Sequence, residues 1–228
     1  MRRVAVTDGM AQEAVKRLEN AGCEVVLQFI EHAELLSGAL SEFDAVIVRS
    51  ATKITSEMLN SSVPRLKVVA RAGVGVDNID IEAASHLGLP VVNAPRASTQ
   101  SVVELTIAHL LGSLRFIPRA DRTLRSGNWA KKELKGTELY GKRLGLIGFG
   151  RIAQGVAKVA QAFGMEVHSY DPYLPLSVAK KANVTMHKNV DNLFKTCTHI
   201  SVHCNLTDET HHLINKKRIS MMPGTDPF

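Results

Sequence analysis

The chain has 228 residues, of which 45% are hydrophobic and 22% charged, and its mean hydropathy is close to zero. This balance is typical of a globular protein and excludes disordered and collagen-like chains. The net charge of +6 leaves nucleic acids and small anionic molecules open as partners. The longest apolar runs are shorter than the ~20 residues of a membrane span, and the first residues lack the apolar core of a secretory leader. We therefore expect a cytoplasmic protein.

The first half alternates short runs rich in Val and Ile with amphipathic stretches. Five runs are predicted strands: residues 4–6, 24–27, 45–48, 67–70 and 90–93. Between the first two, Ala14, Val15 and Leu18 recur at helical spacing, and Gly22 ends the helix. Parallel neighbours need crossover helices, which cover both faces of a sheet. The alternation therefore predicts a small, doubly wound parallel α/β sheet.

A long helix of unusual composition follows. The residues from Ser101 to Glu104 have the spacing of a capping box, so we predict that the helix starts there and ends near Arg115. No charged residue lies between Glu104 and Arg115. Apolar surface on more than one side predicts burial on several faces, either within one monomer or against another domain or subunit. Pro118 is expected to close the segment.

The helix separates two predicted domains, residues 1–97 and residues 98–228. The basic stretch at residues 119–143 has eight Lys and Arg against three acidic residues. Because only one Trp and one Tyr accompany the charge, we interpret the stretch as a solvated helix and arm. Binding of nucleic acid through it is an alternative without a recognition motif.

The second domain opens with a glycine-rich turn. The sequence GFGRIA at residues 148–153 follows an apolar strand and begins a helix, and Asp171 ends the next strand. Gly148 permits a tight turn, and Gly150 lets the backbone approach a pyrophosphate at the helix N-terminus. Asp171 would accept hydrogen bonds from ribose hydroxyls and repel a 2′-phosphate. This order predicts a Rossmann domain that binds NAD rather than NADP; a glycine turn without a ligand is the alternative.

Cationic side chains follow the third and fourth predicted strands. Arg49 and Ser50 end the third strand, and Arg71 ends the fourth. Ligands of open α/β sheets bind at the carboxyl ends of strands. Gly73 and Gly75 flank Val74, where successive N–H groups can bind an anion. We predict a site for a small acid that carries a carboxylate and a phosphate, unless the arginines merely pair with Asp77 or Asp44.

Cys23, Cys197 and Cys204 are an odd number of cysteines without a CxxC pair. This pattern argues against a disulfide framework and against a zinc site, so we predict reduced core thiols and no metal. His199 and His203 share one face of a predicted strand, but no Cys or carboxylate with ligand spacing joins them.

Several motifs together resemble the D-isomer-specific 2-hydroxyacid dehydrogenases, and within them the D-3-phosphoglycerate dehydrogenases. The matching segments are VRSATK at 48–53, RAGVGVDNID at 71–80, NAP at 93–95, GNW at 127–129, GTELYGK at 136–142, GFGRI at 148–152, FGM at 163–165 and YDP at 170–172. The resemblance implies a flavodoxin-like substrate domain and an NAD-binding Rossmann domain, both incomplete here. It also implies a homodimer through the helix from Ser101 to Arg115 and oxidation of 3-phospho-D-glycerate in serine synthesis.

The resemblance also implies roles for individual residues. Those expected to bind substrate are Arg49, Ser50, Arg71, Gly73, Val74 and Gly75. Those expected to bind the cofactor are Val74, Gly148, Gly150, Arg151, Ile152, Asp171 and Cys204. Arg151 and Ile152 would contact the pyrophosphate, and Cys204 would line the cofactor cleft.

The family's catalytic Arg, Glu and His follow a Met-Pro-Gly turn that matches residues 222–224, and they would lie beyond Phe228. No catalytic residue is therefore assigned within the sequence, and we expect a truncated form with little activity. His203 is a poor substitute base, because the resemblance puts it near the adenosine side. The alternative function is a non-catalytic, NAD-binding and dimerising module of the corepressor type.

Overall fold

A computed structural model describes residues 1–224, and the expected position of the catalytic residues, beyond Phe228, lies outside them. The chain divides into two compact units, Met1–Ser98 and Thr99–Phe228. The division lies one residue after the expected boundary. Each unit contains its own parallel sheet.

The first unit contains five parallel strands in the order β2-β1-β3-β4-β5. Their bounds are β1 Arg2–Val6, β2 Cys23–Leu27, β3 Ala45–Val48, β4 Val68–Arg71 and β5 Val91–Asn93. This is the flavodoxin-like order, and it confirms the predicted fold. The inner strand β1 is buried on both faces, since the side chains of Val4, Ala5 and Val6 alternate between the faces and are at most 4% exposed. On β3 and β4, the fully buried residues Val46, Val48 and Val69 share one face.

Four α-helices connect these strands. They are α1 Gln12–Asn20, α2 His32–Leu36, α3 Ser56–Ser62 and α4 Ile81–His86, and a 3₁₀ helix covers Ala39–Glu42. Two of the helices begin at a side-chain cap. Thr55 accepts a hydrogen bond from the Met58 amide, and Asp80 accepts one from the Ala83 amide at 2.9 Å.

The second unit begins with α5 Thr99–Leu114 and α6 Ile117–Arg125. Helix α5 starts two residues before Ser101, so the expected capping box is wrong. The Glu104 carboxylate instead accepts a hydrogen bond from the Gln100 amide at 2.8 Å, one turn earlier in the helix. Pro118 lies in the first turn of α6, where a missing N–H costs little, and left-handed Phe116 separates the helices.

Four parallel strands follow, in the order β8-β7-β6-β9. Their bounds are β6 Arg143–Ile147, β7 Glu166–Tyr170, β8 Thr185–Met186 and β9 His199–Val202. Among them lie α7 Arg151–Ala162, α8 Leu176–Lys181 and α9 Val190–Thr196, and α10 Lys216–Ile219 comes after β9. The strand order equals the first four positions of the dinucleotide-binding order 3-2-1-4-5-6.

Helix α5 packs against α7 in the core of this unit. Val103, Ile107 and Leu110 form one buried stripe along α5. A Cβ atom on Gly155 would approach Val103 Cγ2 to 2.6 Å, so glycine lets the two helices come close. Burial on several faces is wrong within this unit, since Leu105 is 56% exposed on the opposite side.

Within residues 1–224, no single helix is long and apolar enough to cross a membrane. Helices α5 and α6 satisfy that length and composition only when they are joined across a bend of 62°.

All three cysteines are free. Only Cys197 lies in the core, where burial raises the pKa of its thiol to about 12. Cys204 is half-buried and packs against the core cluster that contains Cys197. Cys23 is half-buried on strand β2, so the expectation of a core thiol is wrong for this residue.

Candidate functional site

The turn between β6 and α7 has room only for glycine at its first position. Gly148 has φ +83°, in the left-handed region that disfavours side chains. A Cβ atom there would lie 2.9 Å from the His203 carbonyl oxygen and 3.0 Å from the Cys204 nitrogen. The turn therefore packs directly on the backbone that follows β9.

The N-terminus of α7 is open toward an anionic ligand. Gly150 caps the helix without a side-chain hydrogen bond, and a Cβ atom there would meet no atom within 4 Å. The first amides of a helix have no partner within the helix and carry its positive dipole end. Arg151 is exposed and Ile152 half-buried in the first turn. These features fit a pyrophosphate.

Asp171 is held by two backbone amides at the end of β7. Its Oδ2 accepts a hydrogen bond from the Phe149 amide at 2.8 Å, and its Oδ1 accepts one from the Tyr173 amide at 3.0 Å. A carboxylate has about four lone-pair sites, so acceptor capacity is left for two ribose hydroxyls. The glycine turn and the acidic residue are thus joined, which fits the adenosine half of NAD.

The sequence did not reveal a contact near this carboxylate. The Tyr173 hydroxyl donates a 2.6 Å hydrogen bond to Glu209, which links the loops after β7 and β9. This bond raises the pKa of Tyr173 because it stabilises the protonated phenol. Cys204 also lies after β9, and burial raises the pKa of its thiol.

In the first unit, β3 and β4 are neighbours and bring the two arginines to one sheet edge. Val48 pairs with Arg71 in the register, so Arg49 follows at the adjacent strand end. Arg49 is exposed and Arg71 half-buried. Gly73 packs on Arg71, since a Cβ atom there would lie 2.9 Å from the guanidinium carbon.

Asn78 and Asp8 hold the loop that carries Arg49, and the sequence did not point to either residue as part of a site. The side-chain amide of Asn78 donates hydrogen bonds to the carbonyl oxygens of Arg49 and Thr52 and accepts one from Arg71 Nε. The Asp8 carboxylate accepts bonds from the amides of the same two residues, Arg49 and Thr52. The motif match at residues 71–80 included Asn78, but only the fold shows its contacts.

The expected alternative partners of the arginines do not appear in residues 1–224. Arg71 Nε donates to Asn78 at 3.0 Å rather than to Asp77. Asp44 pairs with Arg65 at 3.0 Å and accepts the Arg3 amide. The arginine side chains at the strand ends are therefore available for an anion.

Burial alone would raise the pKa of Asp8. Hydrogen bonds from the Thr52 hydroxyl and amide, the Arg49 amide and the Thr7 hydroxyl outweigh that effect and lower the pKa. The carboxylate is thus stabilised in the charged form that accepts all four bonds.

His203 contacts a side chain of the preceding strand, β9. Its Nε2 lies 3.0 Å from the Ser201 hydroxyl, and burial lowers the pKa of the ring. In the described part of the chain, no three His, Cys, Asp or Glu side chains are grouped as metal ligands.

Comparison with known proteins places this geometry in a family. A model described as the NAD binding domain of D-isomer specific 2-hydroxyacid dehydrogenase matches residues 107–226. The chain belongs to this family. Its cofactor is NAD, and the match confirms the predicted class of binding domain.

Two relatives show how far the likeness extends. The chain is 45% identical to a D-3-phosphoglycerate dehydrogenase of Methanocaldococcus jannaschii over 97% of its own length and 42% of the relative. It is 44% identical to a hydroxypyruvate reductase of Thermotoga maritima, over 96% of the chain and 70% of the relative. The chain thus spans less than half of the first relative.

Solved structures agree on the fold. An NAD⁺-bound 3-phosphoglycerate dehydrogenase of Entamoeba histolytica matches with TM-score 0.78 and 32% identity, covering 97% of this chain and 68% of that one. A D-lactate dehydrogenase of Aquifex aeolicus, complexed with NAD and lactic acid, matches with TM-score 0.82 and 30% identity, covering 96% and 66%.

Proposed function

We propose that the chain provides substrate and cofactor binding for an NAD-dependent oxidation of 3-phospho-D-glycerate to 3-phosphohydroxypyruvate, the first step of serine synthesis. The observation that carries the proposal is the pair of arginines at adjacent strand ends, in a chain whose other unit belongs to an NAD-binding family. Two cations suit an acid with two anionic groups. The relatives named D-3-phosphoglycerate dehydrogenase support the choice of substrate.

In the proposed substrate site, Arg49 and Arg71 bind the phosphate and the carboxylate. Ser50 is exposed beside Arg49 and supplies a hydroxyl donor. The backbone at Val74 and Gly75 supplies N–H groups to the acid. Gly73, expected to supply one too, instead donates its N–H to the Arg71 carbonyl at 2.8 Å and contributes to the shape of the loop. The Val74 carbonyl accepts a 2.7 Å hydrogen bond from Asn93, which supports this loop.

In the proposed cofactor site, Gly148 and Gly150 allow the pyrophosphate to approach the backbone. Arg151 and Ile152 contact the pyrophosphate, Asp171 binds the ribose hydroxyls, and Cys204 lines the cleft. The assignment of Val74 to both ligands rests on the family resemblance. Bound NAD supplies the acceptor for the hydride that leaves the hydroxyl-bearing carbon.

Oxidation also needs a base for the hydroxyl proton. We assign none within residues 1–224, because the family resemblance puts the base in a segment that follows the turn at residues 222–224. The 228-residue polypeptide by itself is therefore expected to bind both ligands with weak or absent turnover.

Calorimetric titration of the purified chain tests the proposal. We expect binding of NAD, weaker binding of NADP, binding of 3-phosphoglycerate and little formation of NADH. Robust NADH formation would contradict the absence of a base. NAD binding without any 3-phosphoglycerate binding would instead favour the non-catalytic module of the corepressor type.

We also propose a homodimer through the helix from Ser101 to Arg115. Apolar side chains on the outer side of α5 and the following basic stretch are uncovered within the chain, including Leu105, Ile117, Leu124 and Trp129 at 54–79% exposure. An exposed apolar surface of this kind is typical of an interface.

Light scattering tests the homodimer. The wild type should have twice the mass of one chain, and Leu105→Glu should have the mass of a monomer. The control Leu176→Glu, at a residue on α8 that is 62% exposed, should remain a dimer. A monomeric wild type would refute the proposal.

A further inference from the structure

We propose that Asn78 is a positioning residue that fixes the two substrate arginines relative to each other, and that it thereby sets the preference for an acid with two anionic groups. The inference rests on the proposed function of Arg49 and Arg71 as the residues that bind substrate. It concerns a side chain that, by its contacts, is fully engaged with the protein.

The Asn78 amide has a partner for each of its polar groups. Its Nδ2 donates to the Arg49 carbonyl at 2.7 Å and to the Thr52 carbonyl at 2.6 Å, which uses both hydrogens. Its Oδ1 accepts a 3.0 Å bond from Arg71 Nε. One half-buried side chain therefore joins the loop after β3 to the guanidinium of the last residue of β4.

The bond to Nε determines how Arg71 meets a ligand. A guanidinium has five N–H donors in a planar fork, and an occupied Nε leaves the four on Nη1 and Nη2. The plane of the fork is then fixed before the ligand arrives, because Gly73 packs beside the guanidinium carbon. A fixed donor loses less conformational entropy on binding.

Asp8 holds the opposite side of the same loop. Its Oδ2 accepts the Arg49 amide at 2.6 Å and the Thr52 amide at 3.1 Å. Thr52 is buried, and its hydroxyl also bonds Asp8 and lies 2.9 Å from the Thr7 hydroxyl. The N–H groups of residues 49 and 52 thus point to Asp8 and their carbonyls to Asn78. The backbone of Arg49 is fixed although its side chain is exposed.

The arrangement has a consequence for selectivity. The separation of two cations matters to a ligand that contacts both and is immaterial to a ligand that contacts one. Loss of Asn78 should therefore weaken binding of 3-phosphoglycerate, which carries a phosphate and a carboxylate, more than binding of inorganic phosphate. A purely structural role of Asn78 would weaken both anions by the same factor.

The test is an NMR titration of the full 228-residue chain with 3-phosphoglycerate and separately with inorganic phosphate. The variants are Asn78→Ala and Asn60→Ala. Asn60 is the matched control, since its side-chain amide also donates to a carbonyl in the first unit, that of Ser56 at 2.8 Å. Asn60 is an exposed residue of α3, and this bond lies within that helix rather than in either arginine loop. NAD affinity is measured in parallel as a check on the second unit.

For Asn78→Ala we expect the Kd of 3-phosphoglycerate to rise about tenfold, the size of one lost hydrogen bond to a charged group. The Kd of phosphate should rise less than about threefold and the Kd of NAD should not change. The Arg71 Nε–H resonance should also shift and exchange faster with water, which reports directly on the lost contact. Asn60→Ala should match wild type in every measurement.

An equal rise for both anions, or an unchanged Arg71 resonance, would overturn the inference while the proposed function stands. Absence of 3-phosphoglycerate binding to wild type would overturn the proposed function and this inference with it. If Asn78→Ala does not fold, Asn78→Ser keeps a donor for one carbonyl but is too short to reach Arg71. It should reproduce the selective loss; a wild-type preference between the two anions in that variant would refute the inference.

Discussion

The two proposed sites lie at the same part of a parallel sheet, the carboxyl ends of the strands, but they are built from different groups. In the first unit, the proposed ligand-binding groups are side chains: Arg49 and Arg71, both of which Asn78 contacts. In the second unit, the proposed ligand-binding groups belong to the backbone: the left-handed turn at Gly148 and the first turn of α7. A side-chain site is damaged by removing atoms, whereas a backbone site is damaged by adding them.

The largest expected effect is the addition of one methyl group to the backbone site. Gly148→Ala forces an alanine into the left-handed region and against the His203 carbonyl at 2.9 Å. We expect a loss of at least about 2 kcal/mol in the free energy of unfolding, measured by urea denaturation.

Gly150→Ala is the matched variant, because its Cβ atom meets no atom within 4 Å. It should keep wild-type stability and lose NAD affinity by at least about tenfold if the pyrophosphate lies there. Equal stability of the two alanine variants would contradict the difference drawn between the two glycines.

The one side chain on which the backbone site depends is expected to have the next largest effect. Asp171→Asn weakens the acceptor of the Phe149 and Tyr173 backbone amides. It also weakens the acceptor that we propose for the ribose hydroxyls. The NAD Kd should rise roughly 10- to 100-fold, as for hydrogen bonds to a charged group, and the preference over NADP should shrink. Calorimetry with both cofactors measures this. A preserved preference would show that another group excludes the 2′-phosphate.

The two units should lose stability at different pH values when the solution is acidified. In the second unit, His168 Nδ1 lies 3.1 Å from His187 Nε2. Burial lowers the pKa of His168, and the nearby charge of His187 lowers it further. Burial also lowers the pKa of His187. Their stabilising effect is complete above the unfolded-state pKa of about 6.5 and is lost as the pH falls through the lower folded values. The lowered pKa of Asp8 instead stabilises the first unit above about pH 4 and is lost only below it.

Hydrogen exchange between pH 7 and pH 5 should therefore show the second unit losing protection while the first retains it. Replacement of His168 and His187 by phenylalanine should reduce that pH dependence. Part of it should remain, because burial also lowers the pKa values of His199 and His203 in the same unit. Loss of protection in the first unit at the higher pH would contradict the assignment.

The smallest effect is expected at a surface ion pair outside both sites. Arg119 and Glu133 lie 2.7 Å apart with side chains 52% and 66% exposed. Glu133→Gln should change the free energy of unfolding by less than about 1 kcal/mol, and high salt should cancel the change. A thermal melt at two salt concentrations measures this, and a larger effect would reveal that the basic stretch is held more firmly than its exposure indicates.

The sequence predicts the fold well because both sheets are built from local signals. Val and Ile runs mark the strands, and Gly22, Gly148 and Gly164 occur at positive φ where helices or strands turn. Periodicity therefore located the five strands of the first unit, from Arg2 to Asn93, to within two residues of their bounds. The start of α5 was misplaced because the Ser101 spacing is shared by capping boxes and helix interiors.

The proposed sites also contain some features that a local sequence pattern predicts and others that it does not. A glycine motif has a fixed spacing, so the turn at Gly148 and the acid at Asp171 can be recognised from sequence. Asn78 and Asp8 act on a loop that is 29 and 41 residues away along the chain, respectively. Contacts of that length depend on the order of strands in the sheet, which no local pattern encodes. As the alternative to a ligand, only acidic residues were therefore predicted as partners of Arg71, whereas the fold brings the side-chain amide of Asn78 to it.

All hydrogen-bonding groups of the Asn78 side chain are paired within the protein, and this has a consequence for how substrate preference evolves. If preference among acids is set by a residue that does not contact them, a substitution at Asn78 can alter ligand choice while leaving every proposed ligand contact in place. A single exchange outside the binding surface would then be a route to a new substrate, and libraries that vary only Arg49, Ser50 and Arg71 would overlook it.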